Sequence, residues 1–146
     1  MSKRIVFSSL LIAAIATGCA MPLSSREAPA LEDTNWHLVA ISGAELTVPG
    51  EPPVELRFMD GRVNFHGCNA LSGRYIQEGN WLSVPKGFVG TRMSCAPALM
   101  TLDATATKLL ESGVRLKMEG DRLSLEGQGQ TWQFQRQNAP KQPAQQ

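Results

Sequence analysis

Cys68 and His66 are the residues whose types and spacing come closest to chemistry, because a thiol nucleophile needs an imidazole beside it. The residues around them argue against that use. His66 falls in the alternating stretch Val63–Gly67, on the face opposite Val63 and Phe65, which places it in solvent. No third residue that would orient the imidazole, and no glycine motif for an oxyanion, accompanies the pair. A metal site drawn from His37, His66 and the thiols lacks any Cys-x-x-Cys, His-x-x-x-His or acid-rich loop. Carboxylates are dispersed along the domain and adjacent only at Glu32-Asp33, which belongs to its start. The expectation is therefore a chain without catalytic residues, metal or cofactor, and not an enzyme.

Cys19 offers chemistry of another kind. Lys3-Arg4 precede an apolar run, Ile5 to Ala16, that is too short for the roughly 30 Å hydrocarbon core, which takes about 20 residues. The small residues Ala16-Thr17-Gly18 then lead into Cys19. This string resembles the lipobox of bacterial lipoproteins, where a peptidase with a narrow site cuts before a thiol that has accepted diacylglycerol. Ala16 stands where that pattern usually has Leu. The reading is a signal peptide over residues 1–18 and a lipid on Cys19. Several acyl chains, each contributing about 0.8 kcal/mol per buried CH2, make a durable anchor. Ala20 and Met21 lack the Asp that resembles an inner-membrane retention signal, so the outer membrane, with the domain facing the periplasm, is the expected address.

The remaining composition is bland. The 146 residues carry 14 Lys+Arg and 13 Asp+Glu, a net charge of +1, and removing Lys3 and Arg4 with the leader leaves the mature chain near neutral. Nucleic-acid binding needs clustered cations, and an aromatic content of 6% gives no base-stacking platform either. Residues 19–30 read as the lipid anchor and a flexible tether; as a coil of about 11 residues it spans roughly 17–20 Å. Residues 137–146, rich in Gln, Pro, Ala and Asn, read as a disordered tail. One domain, residues 31–136, lies between.

Its pattern is mainly β. Val54–Phe58 and Val63–Phe65 alternate around Asp60-Gly61, a strong hairpin signal because a type I′ turn needs positive φ at both central residues. Leu116–Met118 and Leu123–Leu125 flank Glu119-Gly120-Asp121, and Gly127-Gln128-Gly129 turns into Trp132–Phe134. Further strands are expected at Trp36–Ile41, Gly73–Gln77 and Trp81–Val84, with a short piece at Phe88–Thr91. Pro97 to Ser112 breaks the pattern: Leu99, Leu102, Ala106, Leu109 and Leu110 share one helical face, and Gly113 is placed to end the helix. Asp103, Lys108 and Glu111 are read as its polar face. The expected fold is a small antiparallel β-barrel-like meander with one amphipathic helix covering a face or mouth.

Three strings then line up: Thr34-Asn35-Trp36-His37-Leu38; Gly67-Cys68-Asn69 with Ser72-Gly73-Arg74-Tyr75; and Thr91-Arg92-Met93-Ser94-Cys95. Together with Gly120-Asp-x-Leu-x-Leu and Trp132-x-Phe134 they resemble the META/HslJ domain family of bacterial envelope lipoproteins. Where family members often carry Glu and a nearby Phe on the helix, this chain has Asp103 and Ala106. The resemblance implies a β-barrel-like fold with one helix, no established enzymatic activity, and links to envelope or heat stress and to novobiocin tolerance. Its motif residues here are Trp36, Gly67, Cys68, Asn69, Gly73, Tyr75, Thr91, Met93 and Cys95. Read physically, Gly67, Asn69 and Gly73 are backbone-shape residues tolerant of left-handed conformation. Trp36, Phe58, Phe65, Tyr75, Trp132 and Phe134 fill the interior.

With Cys19 lipidated, Cys68 and Cys95 form an even pair in an oxidising compartment. A disulfide between them would stabilise by roughly 3–4 kcal/mol on the chain-entropy model. The competing reading keeps Cys68 as a nucleophile for a hydrolase or redox enzyme, which pairing with Cys95 would silence. The functional expectation is a non-enzymatic outer-membrane lipoprotein, monomeric, that binds an envelope protein or a small apolar ligand and no nucleic acid. A pilotin-like assembly chaperone is the alternative within binding modules.

Overall fold

Period-two alternation of apolar residues builds the strands, and glycine-bearing turns set their lengths. The computed structural model describes residues 27–138, so the leader, Cys19, most of the tether and nearly all of the tail lie outside the described residues. In chain order the strands are β1 (Thr34–Ser42), β2 (Glu55–Met59), β3 (Arg62–His66), β4 (Ala70–Arg74), β5 (Ile76–Glu78), β6 (Trp81–Ser83) and β7 (Val89–Gly90). After the helix α1 (Pro97–Ser112) come β8 (Val114–Glu119), β9 (Arg122–Gly127) and β10 (Gln130–Gln137).

Asp60 and Gly61 both have positive φ (55° and 68°), as the β2–β3 hairpin requires. Gln128 and Gly129 do the same between β9 and β10 (50° and 73°). Between β8 and β9 only Gly120 is positive (59°), the glycine-first alternative.

All ten strands form one antiparallel sheet in the order β5-β6-β8-β9-β10-β1-β2-β3-β4-β7. It curls into a half-barrel. Two devices produce the curl. Val39 has no partner in β10, where the register steps from Leu38 to Ala40, so inward positions shift from Trp36 and Leu38 to Ile41. The second is a bend at Tyr75. A single strand Gly73–Gln77 is expected from the pattern, but the chain breaks there into β4 and β5, which sit near opposite ends of the sheet. Only a curled sheet can bring those ends within one residue of each other. Tyr75 N–H still donates to Gly61 O (3.3 Å), and its side chain is half-buried where full burial is expected.

The core lies inside the curl. Trp36, Phe58, Phe65, Trp132 and Phe134 are at most 1% exposed, and Leu102, Ala106, Leu109 and Leu110 of α1 close over them. Phe65 meets Trp132 edge-on, with centroids 6.3 Å apart. The helix is tied to the residue that follows β6, where Val84 N–H donates to Leu110 O (2.9 Å). Gly113 ends it at φ 92°, ψ 145°, a conformation open to glycine and different from the left-handed helical cap that the sequence suggests.

Three further expectations change. Gly67, Asn69 and Gly73 do not have positive φ. What requires glycine is close approach: a β-carbon on Gly67 would overlap Asp103 Oδ1, and one on Gly73 would lie 2.5 Å from Val84 Cγ1 and 2.9 Å from Gly87 O. At the margins, the fold is longer than 31–136. Gln77 Nε2 donates to Pro29 O (2.8 Å), and β10 continues to Gln137, paired with Asn35. Asp103 is the third, and the most consequential.

Candidate functional site

Asp103 belongs by spacing to the apolar stripe, in register with Leu99, Ala106 and Leu110 on a 3.6-residue period. It is only 6% exposed, so its placement on the polar face is overturned. Its carboxylate reaches from α1 to the turn between β3 and β4. Cys68 N–H donates to Oδ1 (3.0 Å), while Asn69 N–H (2.8 Å) and Asn69 Nδ2 (3.0 Å) both donate to Oδ2. A buried carboxylate is tolerated only with such partners. The absent β-carbon of Gly67 makes room for it.

Asn69 passes the network onward. Its Oδ1 accepts from the Thr91 hydroxyl (3.0 Å) and from Met93 N–H (2.6 Å). Thr91 Oγ1 in turn accepts from Ala70 N–H (3.1 Å), and Thr91 N–H donates to Ala70 O (3.2 Å). The Cys68–Cys95 disulfide closes the same corner, with Cα atoms 6.0 Å apart. Gly67-Cys68-Asn69 and Thr91-x-Met93-x-Cys95 are thus two sides of one knot that ties strand, loop and helix start together. Met93 contributes its backbone; its side chain is exposed, as is Met100, whose sulfur lies 3.7 Å from Cys68 Sγ.

The other motif residues act elsewhere. Trp36 is buried, donates from Nε1 to Thr34 Oγ1 (2.8 Å) and lies under the Arg136 guanidinium, 4.3 Å from its ring. The Thr34 hydroxyl donates to Leu31 O. Tyr75 packs edge-on against Phe58 at 5.4 Å and donates its hydroxyl to Glu32 Oε2 (2.8 Å); Gly61 N–H donates to Oε1 (3.1 Å). That carboxylate fastens the start of the domain to the β2–β3 turn.

The Tyr75–Glu32 pair gives a pH signature. The hydrogen bond from Tyr75, and then that from Gly61, hold the Glu32 carboxyl below its ordinary value. Burial first, then the hydrogen bond to Glu32 and its charge, push the Tyr75 phenol up to about 12. Glu32 therefore stabilises the fold above the ordinary carboxylate value, and its contribution fades as pH falls through the lowered one. The Tyr75 contribution is complete below pH 10 and disappears as pH rises toward 12. Tyr75 is the chain's one tyrosine, so phenolate absorbance reads it alone. We expect a native midpoint near 12, a return toward 10 on unfolding, and an intermediate value in Glu32→Gln, where burial persists. A native midpoint at 10 would remove the account.

The pairs considered for catalysis and metal binding do not assemble. His66 is exposed and Cys68 buried, with its sulfur in the disulfide. His37 lies 3.4 Å from Glu55 Oε1 on the outer face of the sheet. Among the described residues no three His, Cys, Asp or Glu side chains converge in a way that could hold a metal. Surface concavities of about 520, 640 and 220 Å³ lie over α1, beside β8 and over β2–β4, and none is lined by Cys68, Asn69, Thr91, Cys95 or Asp103. No helix among the described residues is long and apolar enough to cross a membrane. Sequence reasoning missed Asp103, although a carboxylate in the centre of an apolar stripe is itself a signal.

Comparison with known proteins agrees with this geometry. The family model described as META domain matches residues 29–139. A solved protein structure is 28% identical, with a TM-score of 0.62 over 72% of this chain and 90% of that one. A second, from Burkholderia xenovorans, is 24% identical, with a TM-score of 0.63 over 75% of this chain and 85% of that one, and shows the fold alone. Among curated proteins, none matches the chain.

Proposed function

We propose that this chain, which belongs to the META domain family, is a non-enzymatic lipoprotein of the bacterial outer membrane, anchored through Cys19 with its domain in the periplasm. It contributes to envelope or heat stress resistance or to novobiocin tolerance by binding a protein, or less readily an apolar small molecule. The observation that supports a non-catalytic role is the knot at Asp103. It commits the Cys68 thiol to a disulfide and the motif polar groups to one another, so the residues best placed for chemistry serve the fold. The leader and Cys19 support the anchor.

Strand β7 favours one second reading, a pilotin-like chaperone. It pairs only with β4, and Val89 on it is 69% exposed, which suits addition of a partner's strand to the free edge.

Mass spectrometry of protein extracted from membranes is expected to find Cys19 as the diacylglyceryl, acylated N-terminus. Cys19→Ser should release the protein from the outer-membrane fraction and lower novobiocin or heat tolerance as far as deletion does. A free Cys19, or a deletion strain with unchanged tolerance, would overturn the corresponding part. Crosslinking in cells, compared with an untethered control, identifies the partner.

A further inference from the structure

We infer that the β5–β6 hairpin is a membrane-interface foot, seated in the headgroup layer of the bilayer that carries the lipid anchor, with Trp81 and Ile76 as its contacts. The inference rests on the proposed anchoring at Cys19. Large aromatic and aliphatic side chains are ordinarily hidden; Trp81 and Ile76 of this hairpin instead remain 41% and 51% exposed. They share a face. Trp81 pairs directly with Glu78, and Ile76 is two residues from Glu78, while Leu82 between them points into the core. Trp81 does not dangle: its ring covers Gly113, where a β-carbon would overlap it, so the indole is held rigidly outward at the end of α1. A fixed, half-exposed tryptophan beside an aliphatic residue is the combination that settles at the level of lipid headgroups.

The place where the anchor's chain joins the fold selects the occupant. Pro29 is bound to this hairpin through Gln77 Nε2, which also donates to Gly79 O (3.1 Å), and Glu27 and Pro29 lie beside Gly79 and Asn80. From Cys19 to Pro29 the leash is about ten residues, which span roughly 16–19 Å as a flexible coil. A domain of this size is about 34 Å across. As a coil the leash is about half as long as the domain is wide, so the corner where it attaches stays nearer the bilayer than the opposite end. Charge does not drive the contact. Arg115, Lys117 and Arg122 on the same side of the sheet are matched by Glu78, Glu119 and Glu126, so the contact is apolar and insensitive to lipid charge.

Trp36 and Trp132 are at most 1% exposed, which leaves Trp81 as the one tryptophan that acyl-chain quenchers can reach. Cys68 and Cys95 are paired, so Cys19 is the one free thiol and can be coupled to a maleimide lipid in the chain from Cys19 onward, which retains every residue of the described fold. In vesicles of brominated phosphatidylcholine, with or without phosphatidylglycerol, the conjugate is expected to lose roughly a third of its emission with a blue shift, to the same extent in both. Trp81→Phe should abolish the quenching, and Ile76→Gln, at an exposed site, should weaken it severalfold without altering the denaturation midpoint. Vesicle-bound conjugate whose emission matches unbrominated controls would overturn the foot, as would quenching that appears only with anionic lipid. Because the lipid is attached chemically, this outcome is independent of whether cells acylate Cys19, which mass spectrometry of the native protein reads separately.

Discussion

Asp103→Ala is expected to cost about 3–5 kcal/mol of folding stability, a large share of the 5–15 kcal/mol available to a domain. The cost comes from orphaned donors. The substitution leaves Cys68 N–H, Asn69 N–H and Asn69 Nδ2 without the acceptor they now share, in a turn that is buried. Each buried donor left unsatisfied costs about 1–3 kcal/mol, and partial relaxation or a water molecule recovers some of it. Asp103→Asn separates polarity from shape. Whichever way the amide is turned, its NH2 faces an N–H: that of Cys68 at one oxygen position, or those of Asn69 at the other. A loss of about 1–3 kcal/mol is expected despite the near-identical outline. Urea denaturation reads both variants as a lowered midpoint at constant slope. A change below about 0.5 kcal/mol in Asp103→Ala, the range of an ordinary surface site, would show that the knot does not hold the fold.

Removing the Cys68–Cys95 crosslink is the second large effect. The bond closes a loop with a sequence separation of 27, which contains β4 to β7 and the connection into α1. Loop-closure entropy assigns it roughly 3–4 kcal/mol. Cys68→Ser, Cys95→Ser and the double variant should therefore lose the same amount, since any one of them opens the same loop. A nucleophilic Cys68 makes a different prediction: Cys68→Ser alone would abolish a turnover activity in a protein that stays folded. Cys68 also supplies one of the amides bound by Asp103, so combining Cys68→Ser with Asp103→Ala should cost less than the sum of the two. Strict additivity would mean that bond and carboxylate act on separate parts of the fold. Alkylation of non-reduced protein by thiol reagents at either position would remove the premise.

Much of this fold is written in local pattern. The hairpin at Asp60-Gly61 and the helix from Pro97 to Ser112 follow from turn chemistry and period alone. The disulfide follows from counting cysteines once Cys19 is set aside. What escaped was non-local. Asp103 looks like a solvent-facing charge until its donors are found 34 and 35 positions earlier in the chain. The bend at Tyr75 looks like an uninterrupted strand, because the reason for it is the far end of the sheet. Gly67 and Gly73 read as turn formers since sequence reveals that a side chain is missing, but not which atom occupies its place.

The position of β10 in the strand order carries a consequence for how the molecule comes into being. The last strand among the described residues is an interior one, hydrogen-bonded to β9 on one side and to β1 on the other. Until it arrives, β1–β4 and β8–β9 are two fragments with facing unpaired borders, and no local contact can substitute. A chain emerging N-terminus first thus cannot close its sheet early, and removal of β10 would split the sheet down the middle instead of fraying a border. Such an order of assembly has high contact order and so folds slowly.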